Sequence, residues 1–230
     1  MKSLLTALLL LVLISPLALA AGKRSDEVQR LERAAQVFKE VMGTPDKAIP
    51  DDLLDRAECV AVIPGLKKGA LGFGGKYGKG VVMCRKSNRH WTAPSFITVE
   101  GGSVGFQIGF SQTDVVLLVM NRKGIDKLIG DKFTLGADAS VAAGPVGRTA
   151  NAQTDVQMHA EILGYSRAKG LFAGVSLEGA TLRQDADNIR DFYGEAIDPR
   201  KILLDGTVAM PAEGRPLAAA LAHESPRKQK

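Results

Sequence analysis

The sequence predicts an α+β fold: a curved antiparallel β-sheet or barrel with an N-terminal amphipathic helix and short flanking helices. Three observations predict it. Short apolar runs punctuated by glycine recur from residue 59 to residue 182, and 25 glycines against 5% aromatics suit turns and bulges better than helix interiors. No helix of 10–15 residues separates successive runs, which argues against a parallel βαβ sheet. Apolar residues recur at helical spacing before the runs begin and again after they end.

Residues 1–20 read as a cleaved export signal. Lys2 supplies the positive end, residues 4–14 the apolar stretch, Ser15-Pro16 the break and Ala18-Leu19-Ala20 the small-x-small cleavage site. The stretch is shorter than the roughly 20 residues a membrane span needs. Ala21 and Gly22 stand where a lipid-anchored protein would carry a cysteine. The mature chain is therefore expected to begin near Ala21, periplasmic or secreted, soluble and unanchored. One domain is expected over 23–195, followed by a tail over 196–230 with one short helix.

Ser25 can cap a helix with Asp26 and Glu27 in its first turn. Val28, Leu31, Ala35, Phe38 and Met42 form its apolar face, Gly43 ends it, and Arg30, Arg33 and Lys39 lie opposite among Glu32 and Glu40. Such a helix docks on its domain or lies on a surface. A short helix over 51–56 follows. Strands are expected over 60–63, stopped by Pro64-Gly65; over 70–76 and 80–84, separated by a turn at Tyr77-Gly78-Lys79; over 95–100 and 103–110, broken at Gly101-Gly102; and over 114–120, fully buried. A helix over 121–130, a strand over 135–143, strands over 158–166 and 170–182 around Arg167-Ala168-Lys169, and a helix over 185–193 complete the body. In the tail, 217–221 is helical and apolar.

The net charge of +5 is unevenly placed. Residues 59–99 contain no acid but seven bases: Lys67, Lys68, Lys76, Lys79, Arg85, Lys86 and Arg89. Taking those seven from the 30 Lys+Arg leaves 23 against 25 Asp+Glu, so the rest of the chain is slightly acidic. The segment is either the solvated face of a hairpin or an anion-binding surface. Cys59 and Cys84 end strand-like runs; in an oxidising compartment they form either a disulfide or two buried thiols.

No catalytic site emerges. Gly101-Gly102-Ser103-Val104-Gly105 matches G-x-S-x-G, with His159 and His223 downstream, but strand alternation follows where the nucleophile elbow needs a helix. Residues 65–80 fit no phosphate-loop frame, and three histidines with two cysteines 25 apart match no metal-ligand spacing. No cofactor, metal or nucleic acid is expected.

Cys59-Val-Ala-Val-Ile-Pro64, Trp91-Thr-Ala-Pro-Ser95, Gly101-Gly-Ser-Val-Gly-Phe-Gln-Ile-Gly109 and Thr113-Asp-Val-Val-Leu-Leu118 occur in order. They continue with Leu135-Gly-Ala-Asp-Ala-Ser140, Gly144-Pro-Val-Gly-Arg148, Tyr165-Ser-Arg-Ala-Lys-Gly-Leu-Phe-Ala-Gly-Val-Ser-Leu-Glu-Gly179 and Phe192-Tyr-Gly194. Over roughly 30–195 this series resembles the SYLF domain family, in particular its exported single-domain bacterial members. The resemblance implies a non-enzymatic domain that binds membrane lipids, phosphatidylinositol lipids in eukaryotic members, through basic residues and an N-terminal amphipathic helix. Some members bind actin; export argues against actin as a partner here. The expectation is a module docking on anionic phospholipid headgroups through the seven basic residues. The alternatives are an envelope protein-interaction or structural module, and a lipid carrier with an internal apolar cavity.

Overall fold

The computed structural model describes residues 16–44, 49–71, 73–86, 88, 90–104, 109–130, 132–147, 159–168, 171–175 and 177–225. Residues 1–15, most of the expected export signal, and Arg89 lie outside these residues. The elements are α1 (Pro16–Met42), α2 (Asp51–Arg56), β1 (Cys59–Leu71), β2 (Phe73–Cys84), β3 (Ser95–Val104), β4 (Gly109–Val119), α3 (Arg122–Ile129), β5 (Lys132–Thr134), β6 (Val141–Ala143), β7 (Ile162–Ala168), β8 (Leu171–Gly174), β9 (Thr181–Gln184), α4 (Ala186–Tyr193), α5 (Pro199–Leu203), a 3-10 turn (Ala212–Gly214) and α6 (Arg215–Glu224).

One sheet in the order β5-β9-β3-β2-β1-β4-β7-β6, with β8 also on β7, curls into a half-barrel. Its pairings are antiparallel except β6 with β7, which is parallel. Among the described residues no ladder joins β5 to β6, so the half-barrel is open. Leu31, Ala34, Ala35, Phe38, Val41 and Met42, spaced to share one helical face, are buried where α1 packs across β1 and β2 and against α4 and α6. Cys59 and Cys84 face each other directly across β1 and β2 and are joined in a disulfide.

The expected fold class stands, with several boundaries corrected. Helix α1 begins at Pro16, so Ser25 lies within it rather than at its N-terminus. Pro64-Gly65 does not stop β1. It forms a bulge, with the β1–β4 register shifting between Ile63 and Leu66, Gly65 at φ +61° and the Gly65 N–H donating to Asp114 Oδ1 at 2.9 Å. Tyr77-Gly78-Lys79 is no turn, because β2 runs straight through it. A Cβ on Gly78 or Gly80 would stand 2.7 Å from Leu66 or Ile63; these glycines admit the side chains of the neighbouring strand rather than reverse the chain. Gly101-Gly102 likewise lies inside β3.

Of the expected strand over 135–143 only Val141–Ala143 is strand. Gly136 at φ +88° and the Thr134 N–H donating to Asp138 Oδ2 at 2.7 Å make a turn between β5 and β6. Arg167 and Ala168 belong to β7, with Arg167 opposite Asp114, and the strand expected over 170–182 is split into β8 and β9. Two helices expected from the pattern begin as read: Asn121 Oδ1 accepts from Gly124 N at 3.0 Å, and Asp185 Oδ1 from Asn188 N at 3.2 Å. The tail, described as far as Ser225, is docked on the body. Ile202 and Leu203 of α5 and Leu217 and Leu221 of α6 are buried.

Candidate functional site: a basic cleft between the N-terminal helix and the sheet

Asp26, Gln29, Arg30 and Arg33 fall at i, i+3, i+4 and i+7 and so form one stripe of α1. That stripe walls a cleft of about 330 Å³ whose other side is Pro64, Gly65 and Lys67 of β1, Tyr77, Gly78 and Lys79 of β2, and Gln112 of β4. Lys67 pairs with Tyr77 across the ladder, and Lys79, two residues on, shares their face. The bulge at Pro64-Gly65 opens the floor.

Four cations and one acid line this cleft. Two of the cations are held from beneath by a buried polar network. Lys79 Nζ lies 3.2 Å from Asp185 Oδ2 and donates to Asn188 Oδ1 at 2.7 Å. Arg30 donates to Glu27 Oε1 at 3.3 Å, which also accepts from Asn188 Nδ2, and Thr98 Oγ1 donates to Asp185 Oδ2 at 2.8 Å. Burial drives the Glu27 carboxyl above the ordinary carboxylate range, against the opposing pull of Arg30 and Lys79. Burial pushes Asp185 the same way, but the hydrogen bonds from Thr98 and Asn188 and the nearby Lys79 prevail and hold it below its usual value. The network fixes α1 to α4, β2 and β3. Arg33 and Lys67, both exposed, are in no ion pair among the described residues.

The six sequence-predicted residues that are described do not make one surface. Lys67 and Lys79 are in the cleft. Lys68 and Lys76 pair with each other on the opposite face of the hairpin, since neighbouring residues of a strand alternate sides. Lys76 Nζ donates to Glu178 O at 3.2 Å, and burial, then the charge of Lys68, push its ammonium below the usual lysine value. Arg85 lies eight residues along from Tyr77, roughly 26 Å at strand rise. Its guanidinium donates to Leu54 O and Ala57 O at 3.2 Å each and to Ser225, and it covers the Trp91 ring at 4.4 Å. Lys86 Nζ donates to Gly206 O at 2.7 Å. These two tie the tail to the sheet.

Sequence reasoning placed Arg30 and Arg33 on the polar face of α1 but did not join them to the hairpin. The i, i+3, i+4, i+7 stripe was the available signal. Gln112 and the Asp185–Asn188 anchor carried none, being remote in sequence. Ser103 stands in β3 rather than at a strand–helix elbow, Gly105 lies outside the described residues, and His223 lies in α6 within 3.0 Å of Glu224. Among the described residues, no group of three or more His, Cys, Asp or Glu could hold a metal ion, and no helix is long and apolar enough to cross a membrane. The cleft is polar, unlike the apolar cavity a lipid carrier needs.

A family model described as "Ysc84: Las17-binding protein actin regulator" matches residues 100–224, more than half of the chain. The chain belongs to the Ysc84 (SYLF) family. It is 38% identical over 180 residues to LAS seventeen-binding protein 3 of Saccharomyces cerevisiae, covering 76% of this chain and 39% of that protein. It is 35% identical over 199 residues to Protein YSC84 of the same yeast, covering 83% and 42%. It is 32% identical over 191 residues to SH3 domain-containing YSC84-like protein 1 of Xenopus laevis, covering 80% and 57%. The chain thus spans between 39% and 57% of these relatives. The expectation that actin is an unsuitable partner is overturned: the family is described as an actin regulator and relatives are named for binding Las17. That expectation argued from the first twenty residues to the partner, whereas the family match rests on the domain itself. By name this is a family of binding and adaptor domains.

Proposed function

We propose that the protein is a non-enzymatic binding module that docks on anionic membrane surface, taking lipid phosphate in the cleft between α1 and the β1–β2 hairpin. The observation that carries this reading is the cleft's charge: Arg30 and Lys79 are anchored by buried acids, while Arg33 and Lys67 stand exposed and unpaired among the described residues. Each basic residue near an anionic surface contributes about 1 kcal/mol, so Arg33→Gln with Lys67→Gln should weaken binding roughly 30-fold. Co-sedimentation with phosphatidylglycerol-containing and neutral vesicles tests it. Native protein should pellet with the anionic vesicles and be released by salt; equal pelleting with both, unaffected by salt or by the double substitution, refutes the reading.

The proposal includes export, with residues 1–20 removed. The buried disulfide is in keeping with an oxidising compartment, and the contacts of α1 from Arg24 onward survive cleavage at Ala20. Mass measurement of the N-terminus of the mature chain checks it. The family's description favours a second reading, in which the same basic face meets an actin filament or another acidic protein. Co-sedimentation of the native protein with filamentous actin, set beside its pelleting with anionic vesicles, separates it from the first.

A further inference from the structure

Strands β1, β3 and β7 run one way and β2, β4 and β8 the other. Strands β1, β3 and β7 therefore end, and β2, β4 and β8 begin, on the same side of the half-barrel. The sequence linking these strand ends, Gly69-Ala-Leu-Gly-Phe73, Val104-Gly-Phe-Gln-Ile-Gly-Phe110 and Ala168-Lys-Gly-Leu-Phe-Ala173, contains no acidic residue and is apolar where linking segments are usually polar. Among the described residues the large apolar side chains left exposed are Tyr77, Phe110, Val146 and Leu171. All four lie toward this side. Phe110, 88% exposed, begins β4, and Leu171, 68% exposed, begins β8. Val146 follows β6, which runs parallel to β7 toward the same side, and Tyr77 is in the half of β2 nearest its turn.

We propose that this edge inserts into the headgroup–acyl boundary of an anionic bilayer, with Phe110 and Leu171 entering the apolar layer and lysines of the β1–β2 hairpin at the phosphate level. The inference rests on the lipid reading above and adds which part of the molecule enters the membrane. Phe110 lies opposite Gly69, and a Cβ on Gly69 would stand 3.1 Å from its ring; the aromatic ring thus lies over a bare backbone position with one side free. Lys68 is one residue behind Gly69 and faces Lys76, while Lys67 is two behind. At strand rise this sets the lysine backbone about 3–7 Å behind the ring, matching the roughly 5–10 Å over which interfacial segments bury their apolar groups. Two of the nearby acids have cations of their own: Arg167 engages Asp114 at 2.9 Å and Arg183 faces Glu100 at 3.8 Å. Lys68 and Lys76, held opposite each other without an intervening carboxylate, fit a phosphate layer in particular.

The test uses Phe110→Trp in the full chain, against the single native Trp91, which is buried. With phosphatidylcholine vesicles containing phosphatidylglycerol and brominated acyl chains, the added emission should shift to the blue and be quenched, while native Trp91 emission stays unchanged. Phe110→Asp with Leu171→Asp should lower pelleting about tenfold or more, from the loss of two apolar side chains. Pelleting of native protein without quenching of the new tryptophan overturns the inference and leaves the cleft reading standing. Failure of native protein to pellet overturns both. If the Asp variants instead lose co-sedimentation with actin filaments while quenching is absent, the edge is a protein interface and the proposal fails.

Discussion

Substituting Arg85 separates charges that hold the fold from charges that face a partner. Its guanidinium reaches Leu54 O and Ala57 O at the end of α2 and Ser225 just past α6, and it lies on Trp91. Hydrogen bonds to a charged group are worth about 1.5–3 kcal/mol each, but removing one donor from a shared cluster is not additive. The stacked ring adds about 1 kcal/mol. Arg85→Ala strands carbonyls at the ends of two helices and should cost about 3–4 kcal/mol in all, or roughly 10 °C in Tm for a chain of this size. Arg85→Lys keeps the charge but not the planar fork and should recover less than half of the loss. Urea unfolding followed by Trp91 fluorescence measures both, with binding to anionic vesicles measured on the folded variants. Arg85→Ala unfolding within about 0.5 kcal/mol of native, or folded Arg85→Lys losing vesicle binding as Arg33→Gln with Lys67→Gln does, would refute the assignment of Arg85 to the fold.

Two further outcomes follow from the interior. Cys59→Ser with Cys84→Ser opens a link spanning 25 residues of sequence, and loop-closure entropy puts the loss near 3 kcal/mol, read by urea unfolding of the oxidised native protein against the variant. For Glu27→Gln the pH dependence carries the sign. The folded Glu27 carboxyl is held above its ordinary value of 4.5, so the native protein gains stability as pH falls from neutral through that raised value, and the gain is complete below 4.5. The variant, already neutral, should be the more stable at pH 7, and the difference should vanish on acidification; a constant difference across this range contradicts it. Asp185, held below its ordinary 3.8, loses its stabilising contribution only as pH falls further and leaves that window clear.

The fold was legible wherever one side chain pattern had one physical reading. The continuous apolar run over 114–120, the helical spacing over 121–130 and 185–193, and the apolar face of α1 each pointed to a single element. Glycine misled because it has two uses. At Gly136 it reverses the chain with positive φ, whereas at Gly78 and Gly80 it clears space for Leu66 and Ile63 inside a continuous strand, and nothing local in the sequence distinguishes the two. Pro64-Gly65 shows a third case, in which a turn dipeptide bends a strand by a bulge without ending it. The cleft was half legible: the acid-free segment marked the hairpin, but strand alternation divided its lysines between two faces, and the helical wall came from forty residues upstream.

The acid-free segment has different roles along its length, and that division bears on the choice of partner. Arg85 and Lys86 hold the tail, and Lys79 helps hold α1, leaving Lys67, Lys68 and Lys76 toward the turns. An anionic bilayer and an acidic filament ask the same of those three charges, so neutralising them cannot decide between the two. The exposed apolar side chains do distinguish them, because a bilayer offers Phe110 and Leu171 a continuous apolar layer, whereas a protein surface must supply a matching pocket for each. Conservative enlargement discriminates accordingly: Leu171→Phe adds apolar area that a bilayer accepts and a shaped pocket rejects. The depth of the Phe110 ring, more than the loss of any lysine, is therefore the measurement on which insertion of this edge stands or falls.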